Sequence, residues 1–163
     1  MKIFAIDTSA VAASCALAED GKIIFEFYTN AGLQHSRTLA PMIESAFKCT
    51  EASLSDVDCF AVSKGPGSFT GVRIGIAAVK GMAFEGDRPC VGVSTLEAMA
   101  YNLECARGII CPVMDARCNQ VYNALFEFKE GGLSRLCDDR VLTVDELEGE
   151  LKNEKTPVFF VGD

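Results

Sequence analysis

The sequence contains no tryptophan, one histidine and fewer basic than acidic residues. Its 163 residues include 15 lysines and arginines against 23 aspartates and glutamates, so the formal net charge at pH 7 is −8. A protein that binds nucleic acid on its own needs clustered basic side chains to neutralise phosphates. The charge balance therefore argues against such binding, and any role at a nucleic acid is expected to be indirect.

Long apolar runs and paired cysteine motifs are also missing. No stretch reaches the roughly 18 uncharged apolar residues that a membrane-spanning helix needs, which predicts a soluble protein without membrane contact, by default in the cytoplasm. The eight cysteines include no Cys-x-x-Cys pair, and a single histidine leaves little for a zinc site. We predict no metal site, and we expect most cysteines to be small core residues in a chain that is 49% hydrophobic.

What the sequence does contain is a glycine-rich segment, residues 64–75, that reads Lys-Gly-Pro-Gly-Ser-Phe-Thr-Gly-Val-Arg-Ile-Gly. Its Gly-Pro-Gly start is typical of a tight turn, and Ser68 or Thr70 can supply the N-cap oxygen of a following helix. Such a helix N-terminus can hold an anion or a partner's carboxylate. The spacing fits neither the Walker loop nor the Gly-x-Gly-x-x-Gly turn of dinucleotide-binding folds.

Small residues recur along one face of the predicted helix. Gly67, Gly71 and Gly75 are four apart, and Ala78 and Met82 continue roughly the same stripe. Each interior glycine costs a helix about 1 kcal/mol relative to alanine, so close backbone packing must offset that cost. Two interpretations stay open, which are packing inside the same domain and contact with another subunit.

The order of predicted elements is βββαβαβα, followed by a second, incomplete βββαβ copy. Strands are predicted at 3–7, 12–18, 23–29, 57–62, 89–93, 109–115, 121–128 and 157–161, with a strand-like stretch through Leu142. Helices are predicted near 36–48, 70–85, 94–105 and 143–152. This duplicated α/β pattern is typical of the actin-like, sugar-kinase and Hsp70-type ATPase superfamily (ASKHA, ribonuclease H-like). We predict a first lobe over 1–105 and a truncated second lobe over 106–163.

An aspartate ends the first strand of each copy. In an actin-like arrangement Asp7, Thr8 and Ser9 would face Asp115 and Arg117 across a cleft, where ATP or ADP could bind with Mg²⁺. The alternative is that both aspartates only bond to N–H groups of their own turns. The sequence alone leaves both interpretations open.

Several motifs together resemble the TsaB (YeaZ) family. They are Ala5-Ile6-Asp7-Thr8-Ser9, His35-Ser36 with Leu39, Pro41 and Ile43, the segment 65–75, and Met114-Asp115-Ala116-Arg117. The resemblance implies a bacterial cytoplasmic subunit required for threonylcarbamoyladenosine in tRNA. It further implies a non-catalytic partner that pairs with the related enzyme TsaD, forming a heterodimer, and is joined by the ATPase TsaE.

By this resemblance the two helices near 36–48 and 70–85 form the docking surface, which could also pair with a second copy when the chain is alone. The interface residues expected are Ser36, Leu39, Met42, Ile43, Thr70, Gly71, Arg73, Ile74, Gly75 and Ala78. No catalytic residue is assigned. Arg73 or Arg88 could assist tRNA at a composite site.

One position separates this chain from TsaD-like relatives, which carry His-x-x-x-His. Here the second histidine is replaced, because His35 is followed one helical turn later by Leu39. Leucine donates nothing to a metal, so His35 is expected to be structural. A peptidase function has little support, since the sequence has neither His-Glu-x-x-His nor Gly-x-Ser-x-Gly.

Overall fold

The computed structural model describes residues 1–30, Gly32 and 34–162, which form two compact units, Met1–Val93 and Ser94–Asp163. Each unit is built on one mixed sheet. The division lies earlier than the predicted boundary after residue 105, because the helix that begins at Thr95 packs on strands of the second unit. Within the described ranges no helix is long and apolar enough to cross a membrane.

The first unit is a five-stranded sheet with two helices. Its strands occur in the order β3-β2-β1-β4-β5, where β4 and β5 run parallel to β1 and the first three strands are antiparallel. The elements are β1 Lys2–Asp7, β2 Ala13–Glu19, β3 Lys22–Thr29, α1 His35–Lys48, β4 Cys59–Ser63, α2 Phe69–Phe84 and β5 Cys90–Val93.

Alternating side chains build the core of this unit. Phe4 and Phe60 are fully buried on neighbouring strands, and their rings meet edge to face at 6.2 Å. Phe25 and Phe47 complete an aromatic cluster, with ring centroids 5.2 Å apart. Because alternate strand residues point to one face of a sheet, this cluster lies between the sheet and α1.

The second unit repeats the connectivity of the first. Its sheet has the order β8-β7-β6-β9, with β9 parallel to β6, as β4 is to β1. The elements are α3 Thr95–Ala100, β6 Ile109–Arg117, β7 Gln120–Lys129, β8 Gly132–Thr143, α4 Val144–Leu151 and β9 Val158–Gly162. The predicted duplicated α/β architecture is therefore confirmed. Helix α4 begins with a capping box, in which the side chains of Thr143 and Glu146 each bond to the other's backbone N–H.

Helix starts differ from the predictions in detail. Helix α1 begins at His35, one residue before the predicted start, and Gln34 before it makes no side-chain cap. The N-cap of α2 is Ser68, whose hydroxyl accepts the N–H of Gly71 at 3.2 Å, and Thr70 lies inside the helix.

One strand and one helix also have bounds that differ from the predicted ones. The predicted strand 57–62 begins only at Cys59, because a 3-10 turn at Leu54–Asp56 ends just before it. The predicted helix 94–105 ends at Ala100 and continues as a 3-10 turn, Tyr101–Leu103.

The glycine face of α2 packs inside its own unit, against the loop that follows β1. A Cβ added at Gly71 would collide with the carbonyl oxygen of Thr8, and one at Gly75 would lie 2.5 Å from the Thr8 hydroxyl oxygen. That hydroxyl donates to the carbonyl of Gly71 at 2.8 Å. Gly71 and Gly75, predicted to contact a partner, are instead buried on the face of α2 that packs on this loop.

A pair of glycine substitutions in α2 tests this packing. We expect Gly71→Ala to lower the free energy of unfolding by about 1 to 3 kcal/mol, because its methyl group must displace the Thr8 backbone. Gly81→Ala is the matched control, since an added Cβ there meets no atom within 4 Å; it should raise that free energy by up to about 1 kcal/mol. Urea unfolding followed by circular dichroism measures both, and equal effects would contradict the packing described.

Candidate functional site

A groove with a volume of about 810 Å³ lies between α1 and α2 in the first unit. Its walls are mostly apolar. The larger apolar side chains that line it are Leu39, Ile43, Phe47, Leu54, Ile74 and Met82. Open apolar surfaces of this kind are typical of sites that contact another molecule.

The groove stays open because α2 carries small residues where it faces α1. Ala77, Ala78 and Gly81 line the groove, and nothing lies within 4 Å of a Cβ added at Gly81. The backbone of α2 is therefore accessible along this stripe. These three residues lie on a different side of α2 from Gly71 and Gly75, which pack on the loop after β1.

Five of the predicted interface residues line the groove. They are Ser36, Leu39, Ile43, Ile74 and Ala78. Met42 is not among the lining residues and is buried on the inner face of α1. The sequence prediction missed Gly81, although its position three residues after Ala78 placed it on the same helix face.

The N-terminal turn of α2 presents a separate exposed patch. Thr70 and Arg73, both predicted interface residues, are exposed there. The Arg73 guanidinium lies 5.1 Å from the centre of the Phe69 ring, which is itself 76% exposed. At the other end of α2, Phe84 is 87% exposed. Aromatic and arginine side chains are enriched at protein interfaces, so each end of α2 exposes side chains of the kind found there.

The charged side chains that line the groove neutralise each other. Lys48 and Glu44 are one helical turn apart on α1, and the Lys48 ammonium lies 2.6 Å from the Glu44 carboxylate. The hydrogen bond from Lys48 holds the pKa of Glu44 below its usual value. Both side chains are largely exposed. The pair therefore leaves the groove lining with no net charge at this point and adds little to the stability of the fold.

His35 anchors the start of α1. It is 4% exposed, and its Nε2 lies 2.9 Å from the carbonyl oxygen of Ala10. Because a carbonyl oxygen only accepts, Nε2 carries the proton in this bond. The bond joins α1 to the loop after β1, which fits the structural role predicted for this histidine.

The two predicted cleft aspartates make the same turn, each within its own unit. The Asp7 carboxylate accepts the N–H of Ser9 at 2.8 Å, and the Asp115 carboxylate accepts the N–H of Arg117 at 2.7 Å. Asp115 also pairs with the Arg117 guanidinium at 3.1 Å. These contacts match the alternative in which the aspartates stabilise their turns.

Thr8 and Ser9, predicted as further cleft residues, are each 1% exposed. The Thr8 hydroxyl donates a hydrogen bond to the Gly71 carbonyl, and the Ser9 carbonyl accepts the N–H of Ser68 at 2.6 Å. The structure therefore places both residues beneath the first turn of α2 and not on an accessible surface. Among the described residues, no three His, Cys, Asp or Glu side chains are grouped to hold a metal ion.

The cysteines are less buried than predicted. All eight are free thiols, but only Cys15 and Cys111 are buried. The exposed ones are Cys49, Cys90, Cys105 and Cys118. The expectation that most are core residues is wrong, because several follow helix ends or lie in edge strands and turns, where sequence hydrophobicity does not imply burial.

Thiol reactivity should follow this division. Burial raises the pKa of both Cys15 and Cys111 to about 11, and the thiolate is the reactive form. Titration of the native chain with Ellman's reagent at pH 8 should label the four exposed cysteines quickly, and Cys15 and Cys111 only after unfolding. Mass spectrometry identifies the labelled sites, and rapid labelling of Cys15 would contradict the core described.

Comparisons with known proteins agree with the motifs and the fold. The profile of the TsaD family, described as tRNA N6-adenosine threonylcarbamoyltransferase, matches residues 29–163. The chain is 39% identical to the tRNA threonylcarbamoyladenosine biosynthesis protein TsaB of Bacillus subtilis, over 99% of this chain and 71% of that protein. It is 38% identical to the Escherichia coli protein of the same name, over 82% of this chain and 58% of that one. The chain thus spans little more than half of the Escherichia coli relative.

Solved structures show the same fold. YeaZ from Pseudomonas aeruginosa superposes with a TM-score of 0.82 at 28% identity, covering 99% of this chain and 83% of that one. Component A of (R)-2-hydroxyglutaryl-CoA dehydratase from Acidaminococcus fermentans superposes at 0.53 and 13% identity, over 94% of this chain and 55% of that one. The latter likeness concerns the fold alone and agrees with the actin-like architecture. The chain belongs to the TsaB (YeaZ) family of tRNA threonylcarbamoyladenosine biosynthesis proteins.

Proposed function

We propose that this chain is a non-catalytic partner subunit in the formation of threonylcarbamoyladenosine in tRNA, and that it binds a TsaD-like protein through the groove between α1 and α2. The observation that carries the proposal is the open apolar groove in a member of the TsaB family. A groove whose walls are mostly apolar side chains costs free energy while it faces water. A partner that covers it removes that cost.

The chemistry of the groove favours a helical partner. Ala77, Ala78 and Gly81 allow another backbone to approach α2 closely, as small residues do where helices cross. The match to the TsaD profile over 29–163 includes both α1 and α2. A TsaD-like protein therefore has the region corresponding to this helix pair, and two such pairs can pack face to face about a pseudo-two-fold axis. A second copy of this chain could occupy the same surface when no partner is present.

The contacts of the side chains that could take part in a reaction favour a supporting role over catalysis. Asp7 and Asp115 are engaged by their own turns. Leu39 stands where TsaD-like chains carry the second histidine. The charged lining side chains, Glu44 and Lys48, pair with each other. We therefore assign the chemistry to the partner, with a TsaE-like ATPase joining the complex and tRNA contacted mainly by other subunits.

An arginine placed in the groove tests the docking surface. Ala78→Arg should weaken binding of the TsaD-like protein from the same organism by at least about 100-fold, because an unpaired charge would be buried against apolar residues. Ala98→Arg is the matched control, since Ala98 is exposed on α3 and lies outside the groove. Isothermal titration calorimetry measures both affinities. Equal affinities for the two variants would contradict the proposed surface.

A substitution that removes the charge of Asp7 but keeps its turn tests the alternative in which the chain itself binds a nucleotide. Asp7→Asn retains a side-chain oxygen that can accept the Ser9 N–H but removes the carboxylate charge that Mg²⁺ would need. We expect this variant to bind the TsaD-like partner with unchanged affinity. Saturable Mg²⁺-dependent ATP binding by the isolated chain that disappears in Asp7→Asn would instead favour a working nucleotide site.

A further inference from the structure

Arg88 ties together two segments at one end of the groove. Its side chain is half-buried, and one terminal nitrogen, Nη1, donates to the carbonyl oxygens of Leu54 and of Val57, the latter at 3.4 Å. The other terminal nitrogen, Nη2, donates to the carbonyl of Met82 at 3.0 Å. The guanidinium also stacks on Phe60, 5.0 Å from the ring centre. The arginine suggested by the sequence for RNA contact is therefore turned into its own unit.

The residues held by this guanidinium line the groove. Leu54 lies in the 3-10 turn and Met82 in the last turn of α2, and both line the groove. A second recess of about 500 Å³ shares Leu54, Gly81 and Met82 with the groove and has Arg88 among its lining residues. Arg88 thus lies where the groove continues past the end of α2.

Geometry explains why an arginine occupies this position. The last carbonyls of a helix have no partner within the helix, and the carbonyl of Met82 is one of them. A planar guanidinium offers five donors in a fixed fork, so it can reach carbonyls on two segments at once. A lysine ammonium is a single point of charge on a flexible stem and cannot fix the same spacing.

We propose that Arg88 is a positioning residue of the docking groove. It holds the Leu54 turn at a fixed distance from the last turn of α2, so that the far end of the groove has its binding shape before a partner arrives. Preorganisation of this kind strengthens binding by lowering the cost of ordering on association. The inference rests on the proposed function, because it concerns the shape of the same groove.

The test compares affinity with stability. Arg88→Ala should weaken binding of the TsaD-like partner about tenfold, since charge-assisted hydrogen bonds that order the groove are lost. Arg88→Lys should recover only part of that loss. Cys15→Ala is the control for simple destabilisation, because Cys15 is buried on β2 and does not line the groove. Thermal melts and calorimetric titrations are measured for all variants.

The free chain provides a second readout that needs no partner. In two-dimensional NMR spectra, Arg88→Ala should shift the amide signals of residues 54–57 and 82–85 far more than those of the rest of the sheet. Unchanged affinity, or an affinity loss that merely tracks the melting temperature as in Cys15→Ala, would overturn the inference. If the unmodified chain fails to bind the partner while the local NMR shifts appear, the proposed function fails and Arg88 is a structural clamp only.

Discussion

The close approach of α2 to the loop after β1 is the contact on which the rest of the first unit depends. It is possible only because Gly71 and Gly75 lack side chains where Thr8 meets the helix. Thr8 then donates its hydroxyl proton to the Gly71 carbonyl, and His35 joins the same loop to α1 through Ala10. One loop thus fixes both helices, and the space left between them is the apolar groove.

The turn at the end of β1 has a counterpart in the second unit. At each first strand end an aspartate closes a turn two residues on, Asp7 to Ser9 and Asp115 to Arg117. In the first unit the neighbouring hydroxyls are covered by α2, so this end of the sheet serves packing. The surface that stays open is the apolar side of α1 and α2. In the second unit the equivalent helix, α4, has eight residues against fourteen in α1, so the two copies have diverged in the helix that would form such a groove.

Much of the fold follows from the sequence, because alternation and helical periodicity are local signals. The order of strands and helices, the duplication and the α4 capping box are all predictable from residue patterns. The direction in which the glycine face of α2 points is not, since periodicity shows that Gly71 and Gly75 share a face but not which neighbour they meet. The role of Arg88 was missed for a related reason, because its contacts are with segments distant in the chain, such as the turn at Leu54–Asp56. Gly81 could have been predicted, since it lies three residues after Ala78 on the same helix face. Burial of the cysteines was also hard to predict, because an edge strand such as β5 has the same local hydrophobic pattern as a central strand, yet its Cys90 is exposed.

Amide hydrogen exchange of the chain, free and bound to the TsaD-like protein of the same organism, tests the central claim most directly. We expect slower exchange on binding in residues 35–48 and 74–82, the two helical walls of the groove, and unchanged exchange in residues 120–143 of the second unit. Slower exchange confined to the second unit, with both helices unaffected, would contradict it.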